Sequence, residues 1–103
     1  MPPLTLRRRI IALLADQAMD ARDLSDALGL TEKEVSEHLA HVQRSLAASG
    51  ASLHVAPSRC LLCGYVFAHR RRLTRPGRCP QCRRSKLQGP LFRVAGPADD
   101  LLT

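Results

Sequence analysis

At 103 residues the chain has room for one ordinary domain or two very small ones, and a core of that size is marginal enough that a metal or a partner is expected to complete it. With no Trp, one Tyr and two Phe, that core must be built from Leu, Ile, Val and Ala, and no stretch approaches the roughly 18 apolar residues of a membrane span. The net charge of +7 is one-sided: residues 1–50 hold six Lys/Arg and seven Asp/Glu, whereas residues 51–98 hold ten Lys/Arg and no acid, which points to a polyanionic partner or, more plainly, to a solvated basic surface.

The opening "MPPLTLRRRIIALLADQ" has the basic-then-apolar order of a signal peptide, but its apolar run, Ile10 to Ala15, ends at Asp16 without a small-residue cleavage site. Leu6, Ile10, Leu13 and Leu14 fall at i, i+4, i+7 and i+8, which predicts a helix over residues 4–17 with one buried face. A second helix follows "MDARDL": Asp20 is a natural N-cap, Asp23 stands at the third helical position, and Met19 and Leu24 are spaced as a hydrophobic staple. It closes at Gly29.

The third helix is written the same way. Thr31 caps, Glu34 completes a capping box, Leu30 faces Val35, and Val35, Leu39, Val42 and Leu46 mark the buried stripe until Ser49-Gly50. A link as short as Gly29-Leu30 predicts a helix-turn-helix. The outward face of this helix carries Lys33, Ser36, Glu37, Ala40, Gln43 and Arg44. Lys33, Ser36, Gln43 and Arg44 are candidates for contacts with duplex DNA, but Glu32, Glu34 and Glu37 repel phosphate, so affinity has to come from elsewhere.

Past residue 50 the text turns to strand. "SLHVAPS" puts Leu53 and Val55 on one face, "GYVFAH" alternates over residues 64–69, and "SKLQGPLFRV" reads as a strand broken near Gly89-Pro90. Among these lie Cys60, Cys63, Cys79 and Cys82, in the pattern C-x₂-C-x₁₅-C-x₂-C. Two Cys-x-x-Cys knuckles complete a tetrahedral S₄ site, and this spacing reads as one structural Zn²⁺ in a reducing, cytoplasmic setting. Gly64 after the first pair lets the backbone turn with positive φ; Arg83 stands where the second knuckle would take a glycine. Four cysteine ligands leave no open metal position, no phosphate-cradling glycine loop is present, and no catalytic residue is expected.

Between the knuckles lie Arg70, Arg71, Arg72, Arg75 and Arg78, with Pro76-Gly77 as a turn and His69 beside them. Each guanidinium can fork two hydrogen bonds to a phosphate, so this loop is the expected anchor on a nucleic-acid backbone, with helix 3 reading what bases are read. His38 and His41 are read as packing or surface residues, and His54 and His69 as non-ligands.

"DLSDALGLTEKEVSEHLAHVQRSL" resembles the helix-turn-helix of winged-helix transcription regulators. With "CLLCGYVF", "RPGRCPQC" and "GPLFRV" added, the chain resembles a family of small predicted prokaryotic transcriptional regulators in which a helix-turn-helix is fused to a zinc ribbon. The resemblance implies an α+β fold: a three-helix winged-helix-like unit over residues 1–52, an all-β zinc ribbon in the wing position over 53–96, and a short tail over 97–103. It also implies binding to double-stranded DNA and a homodimer, for which helix 1 or the C-terminal strand is available though neither shows a clear seam; the lack of a long apolar stretch sets aside a membrane. Two rivals stay open. One is an adaptor ribbon binding protein or RNA, for which Tyr65 and Phe67 are the available stacking platforms. The other is a rubredoxin-like electron carrier, which "CLLCGY" and "CPQC" also resemble and which the basic character opposes.

Overall fold

A computed structural model describes residues 5–96. The expected helix start at Leu4 and the 97–103 tail lie outside the described residues. Three helices come first: α1 (Leu6–Asp16), α2 (Ala21–Leu28) and α3 (Glu32–Ala48). Four short strands follow: β1 (Ser52–Ala56), β2 (Arg59–Cys60), β3 (Leu87–Gln88) and β4 (Leu91–Ala95). The chain is α+β, with small antiparallel sheets.

Local chemistry sets the helix ends where the sequence places them. Asp20 accepts from the Asp23 N–H at 2.8 Å while the Asp23 carboxylate accepts from the Asp20 N–H at 3.1 Å. Thr31 and Glu34 form the same reciprocal box at 3.1 and 3.2 Å, so two otherwise unpaired donors are satisfied at each start. Those Thr31 bonds, backbone N–H first, hold the Glu34 carboxyl below its ordinary pKa. Gly29 ends α2 in the left-handed region, φ +68. The α1 stripe differs from the expected one. Ile10, Ile11 and Leu14 are buried and Leu13 is only partly so, because α1 is covered by both α3 and β4 and its buried arc swings towards Ile11.

β1 and β4 pair antiparallel, Ser52 opposite Ala95 through Ala56 opposite Leu91. Met19, between α1 and α2, adds to the other edge of β4, exchanging backbone hydrogen bonds with Phe92 at 2.8 and 3.0 Å. Leu53, Phe92 and Val94 thereby face the helices, and Phe92 is fully buried. Together with Val35, Leu39, Val42 and Leu46 of α3 they form one core, so the helical stripe is closed by strands drawn from both sides of the cysteine segment. Burying one such large side chain contributes about 1.5–3 kcal/mol.

Beyond Pro57-Ser58 and Gly89-Pro90 the ladder resumes as β2 paired with β3. The break at Gly89-Pro90 is the expected one; Pro90 has no N–H to give a ladder. A second, smaller cluster forms here: Cys60, Cys79 and Leu87, with Tyr65, Phe67 and Cys82 packed against it. The expected strand over 64–69 does not form. Val66 makes a single bridge to Arg59, and pairing ends where Phe67 donates to the Ser58 carbonyl at 2.9 Å and then accepts from the Arg70 N–H at 3.2 Å. The alternation is nevertheless kept: Tyr65 and Phe67 turn inward, edge to face with ring centres 5.0 Å apart, and Val66 points out. The partner strand is too short to pair more, because the chain turns back into the first knuckle at Cys60.

Candidate metal centre and basic loop

The two knuckles are built alike. In the first, the Cys60 N–H donates to the Tyr65 carbonyl at 2.8 Å and the Gly64 N–H to the Cys60 carbonyl at 3.0 Å. In the second, the Cys79 N–H donates to the Arg84 carbonyl at 2.8 Å and the Arg83 N–H to the Cys79 carbonyl at 2.9 Å. Both turns require positive φ at the residue after the second cysteine: Gly64 has φ +80, and Arg83, a non-glycine, has φ +64. Arg83 therefore takes the conformation a glycine would supply, at a steric cost. Arg83→Gly is expected to raise stability by about 0.5–1 kcal/mol with metal content unchanged, read as a rise in the thermal midpoint of the metal-loaded protein.

The turns bring four sulfurs together, with all Sγ atoms within 4.8 Å of one another. Cys60 and Cys82 are 3.5 Å apart and Cys63 and Cys79 3.6 Å. A tetrahedral site with metal–sulfur bonds of about 2.3 Å has edges of about 3.8 Å, so the donor set fits a single ion. Backbone amides support the sulfurs: Leu62 N–H reaches Cys60 Sγ at 3.4 Å and Cys82 N–H reaches Cys79 Sγ at 3.5 Å. The thiols are electrostatically uneven. Chiefly the Cys63 N–H draws Cys60 down to about 6. The Tyr65 N–H favours the Cys63 thiolate, but burial and the adjacent thiols outweigh it and hold Cys63 up at about 12. Cys79 is lowered and Cys82 raised, so each close pair has one thiol inclined to ionise and one to stay protonated. Bringing all four sulfurs to thiolate needs a cation among them, and a metal ion would supply it.

The loop between the knuckles folds back onto the helices. Leu73, the one leucine in "RRRLTRPGR", packs against the helical core, and Pro76 is buried. The Arg75 stem lies over Gly89, where an added Cβ would sit 3.4 Å from Arg75 Cβ, and its guanidinium pairs with Glu32 at 2.9 Å. Arg70 turns into its own loop, donating to the Thr74 and Arg72 carbonyls and to Thr74 Oγ1. Two of the five candidate arginines are thus held within the chain. Arg71, Arg72 and Arg78 are exposed and make no ion pair among the described residues.

The outward residues of α3 divide between two cavities. Lys33, Ser36, Glu37 and Ala40 line an open groove of about 830 Å³ whose opposite wall is Arg72 to Arg75. Gln43 faces a smaller cavity with Arg70, Arg71 and Arg72. Arg44 lies apart from both and bonds His41 Nδ1 at 2.8 Å. The Arg7 charge first, then burial and Arg44, lower the His41 pKa. The Glu32–Arg75 pair, the Leu73 anchor and Ser58, buried beneath the smaller cavity, are features that sequence reasoning missed. A lone leucine inside a basic loop was the one available signal.

Fold and site together define a three-helix α+β unit carrying a four-cysteine cluster able to hold one metal ion. Residues 5–54 match the family model described as PF0610-like, N-terminal. The chain is similar to protein PF0610 from Pyrococcus furiosus, known from a solution NMR structure, with a TM-score of 0.73 and 27% identity over 94% of each chain. No curated protein matches it. Among the described residues, no helix is long and apolar enough to cross a membrane.

Proposed function

We propose that the chain is a DNA-binding transcriptional regulator of the cytoplasm, in which the Cys60, Cys63, Cys79 and Cys82 thiolates hold one Zn²⁺ that fixes the ribbon. On this reading the β1–β4 hairpin is the wing of a winged helix and the ribbon is inserted at its tip. The observation that carries the proposal is the shared groove: the outward face of α3 and the arginine loop line one concave surface, and Arg75 neutralises Glu32 there. That pair answers the acidity of the helix start. It removes one of the carboxylates that oppose phosphate and leaves Arg71, Arg72 and Arg78 to grip the backbone beside Lys33 and Ser36.

The test is fluorescence anisotropy of the zinc-loaded protein on random duplex DNA across a salt series. Binding should weaken with salt with a slope of several units. Arg71→Ala with Arg72→Ala should flatten that slope by about two units on every sequence, one for each phosphate no longer neutralised. No binding at low salt would end the proposal. A second reading would then take its place, that of a protein-bridging ribbon. It is favoured by Leu61, Leu62 and Val66, which stay 53%, 50% and 48% exposed on the ribbon.

A further inference from the structure

The cavity that Gln43 faces has about 310 Å³ and lies where α3, the β1–β2 junction and the arginine loop meet. We propose that it binds a small phosphate ester: an anionic head on Arg71 and Arg72, and a compact apolar body on the opposite wall. Its volume stands at the lower end of small-molecule sites, about 300–1,000 Å³.

Three observations carry the assignment. Ser58, only 3% exposed, lines the cavity, and its Oγ has no hydrogen-bond partner among the described residues. A buried hydroxyl left unpaired is costly, and a ligand oxygen at the cavity floor would remove that cost. Next, three successive arginines, Arg70, Arg71 and Arg72, line this cavity and no carboxylate among the described residues does, the Glu32 ion pair going to Arg75. Burial, and then the Arg72 charge, lower the Arg70 pKa. Arg70 is held by Thr74 and Arg72 carbonyls, so it shapes the loop and leaves Arg71 and Arg72, which have no side-chain hydrogen bonds among the described residues, to meet the anion. Finally, the remaining wall is apolar: Val55, Leu73 and Pro90, at least partly buried, with the exposed Pro57 and Ala68 at its edge, while Gln43 offers an amide. An inorganic anion would use the arginines and waste the wall; an ester uses both.

If the DNA reading holds, and this consequence rests on it, the ester takes Arg71 and Arg72 away from the backbone and so opposes DNA binding.

The experiment titrates the zinc-loaded full chain with phenyl phosphate, with inorganic phosphate and phenol as probes of each half, by calorimetry and by amide NMR shifts. Saturable binding of phenyl phosphate is expected, with shifts at Ser58 and residues 70–73, about tenfold weaker binding of inorganic phosphate, and none of phenol. Ser58→Ala should weaken phenyl phosphate by about tenfold yet raise the thermal midpoint of the free protein, because it removes the unpaired hydroxyl. The raised midpoint also shows that the variant is folded. No saturable binding, or binding indifferent both to Ser58→Ala and to Arg71→Ala with Arg72→Ala, would overturn the assignment. Phenyl phosphate that saturates these residues without displacing labelled duplex would uphold the pocket and refute the shared use of its arginines by DNA.

Discussion

Cys79→Ser should abolish metal retention and melt the ribbon while the three helices stay folded. Cys79 is fully buried at the centre of the second knuckle: its Sγ joins the four-sulfur cluster and accepts from the Cys82 N–H, and its backbone closes the turn through Arg83 and Arg84. A serine hydroxyl is a poor substitute for thiolate on a soft or borderline ion. The ribbon has little else to hold it. Its apolar cluster has three buried members, two of them cysteines, and β2 and β3 are two residues each. A structural zinc site supplies on the order of 10 kcal/mol or more of folding free energy, far above what that cluster can contribute. Metal analysis should find the ion lost, Tyr65 and Phe67 should lose their near-ultraviolet signal, and most of the helical far-ultraviolet signal should remain. Full metal content with an unchanged melting curve would refute the assignment of Cys79 as a ligand.

What the sequence revealed and what it hid divide by range. The capping boxes at Asp20–Asp23 and Thr31–Glu34 and the left-handed Gly29 were legible because each is settled within four residues by side-chain hydrogen bonds or φ preference. The cysteine cluster was legible because the chelating pairs are local and only their convergence is not. The hidden features are long-range or contrary to type. Arg75 and Glu32 stand 43 residues apart, and nothing in either neighbourhood announces the other. Arg71 and Arg70 look equivalent in sequence, yet one reaches solvent and the other ties its own loop, a choice made by where Leu73 is anchored. Arg83 was legible as the place for a glycine but not in its conformation: its residue type argues against the left-handed turn that it nevertheless takes. Val66 shows that alternation fixes which side chains point inward but not whether a partner strand is long enough to pair.

The second large effect concerns the other core. Phe92→Ala should cost about 3–5 kcal/mol, a large part of the roughly 5–15 kcal/mol expected for a domain of this kind. Phe92 is the largest fully buried side chain, and its strand is held on both edges, by Met19 on one side and Val55 on the other. Truncation leaves a cavity where α1, α3 and both strands meet, and no neighbouring aromatic can fill it, since Tyr65 and Phe67 belong to the ribbon cluster. At about 4–8 °C per kcal/mol, the thermal midpoint should fall by on the order of 20 °C, followed in the helical far-ultraviolet signal. A loss below about 1 kcal/mol would mean that Phe92 does not close the helical core. The variant is informative against Cys79→Ser because the two strike different clusters: one loses metal and keeps helix, the other loses helix while its four sulfurs are untouched. Leu73 rests on the core that Phe92 closes, so the arginine loop should lose its seat in Phe92→Ala even with metal bound. Weakened DNA binding by a metal-replete Phe92→Ala protein, at a temperature where its helices are still folded, would show that the loop acts from a fixed position against α3. Unchanged binding would show that the arginines need no such support.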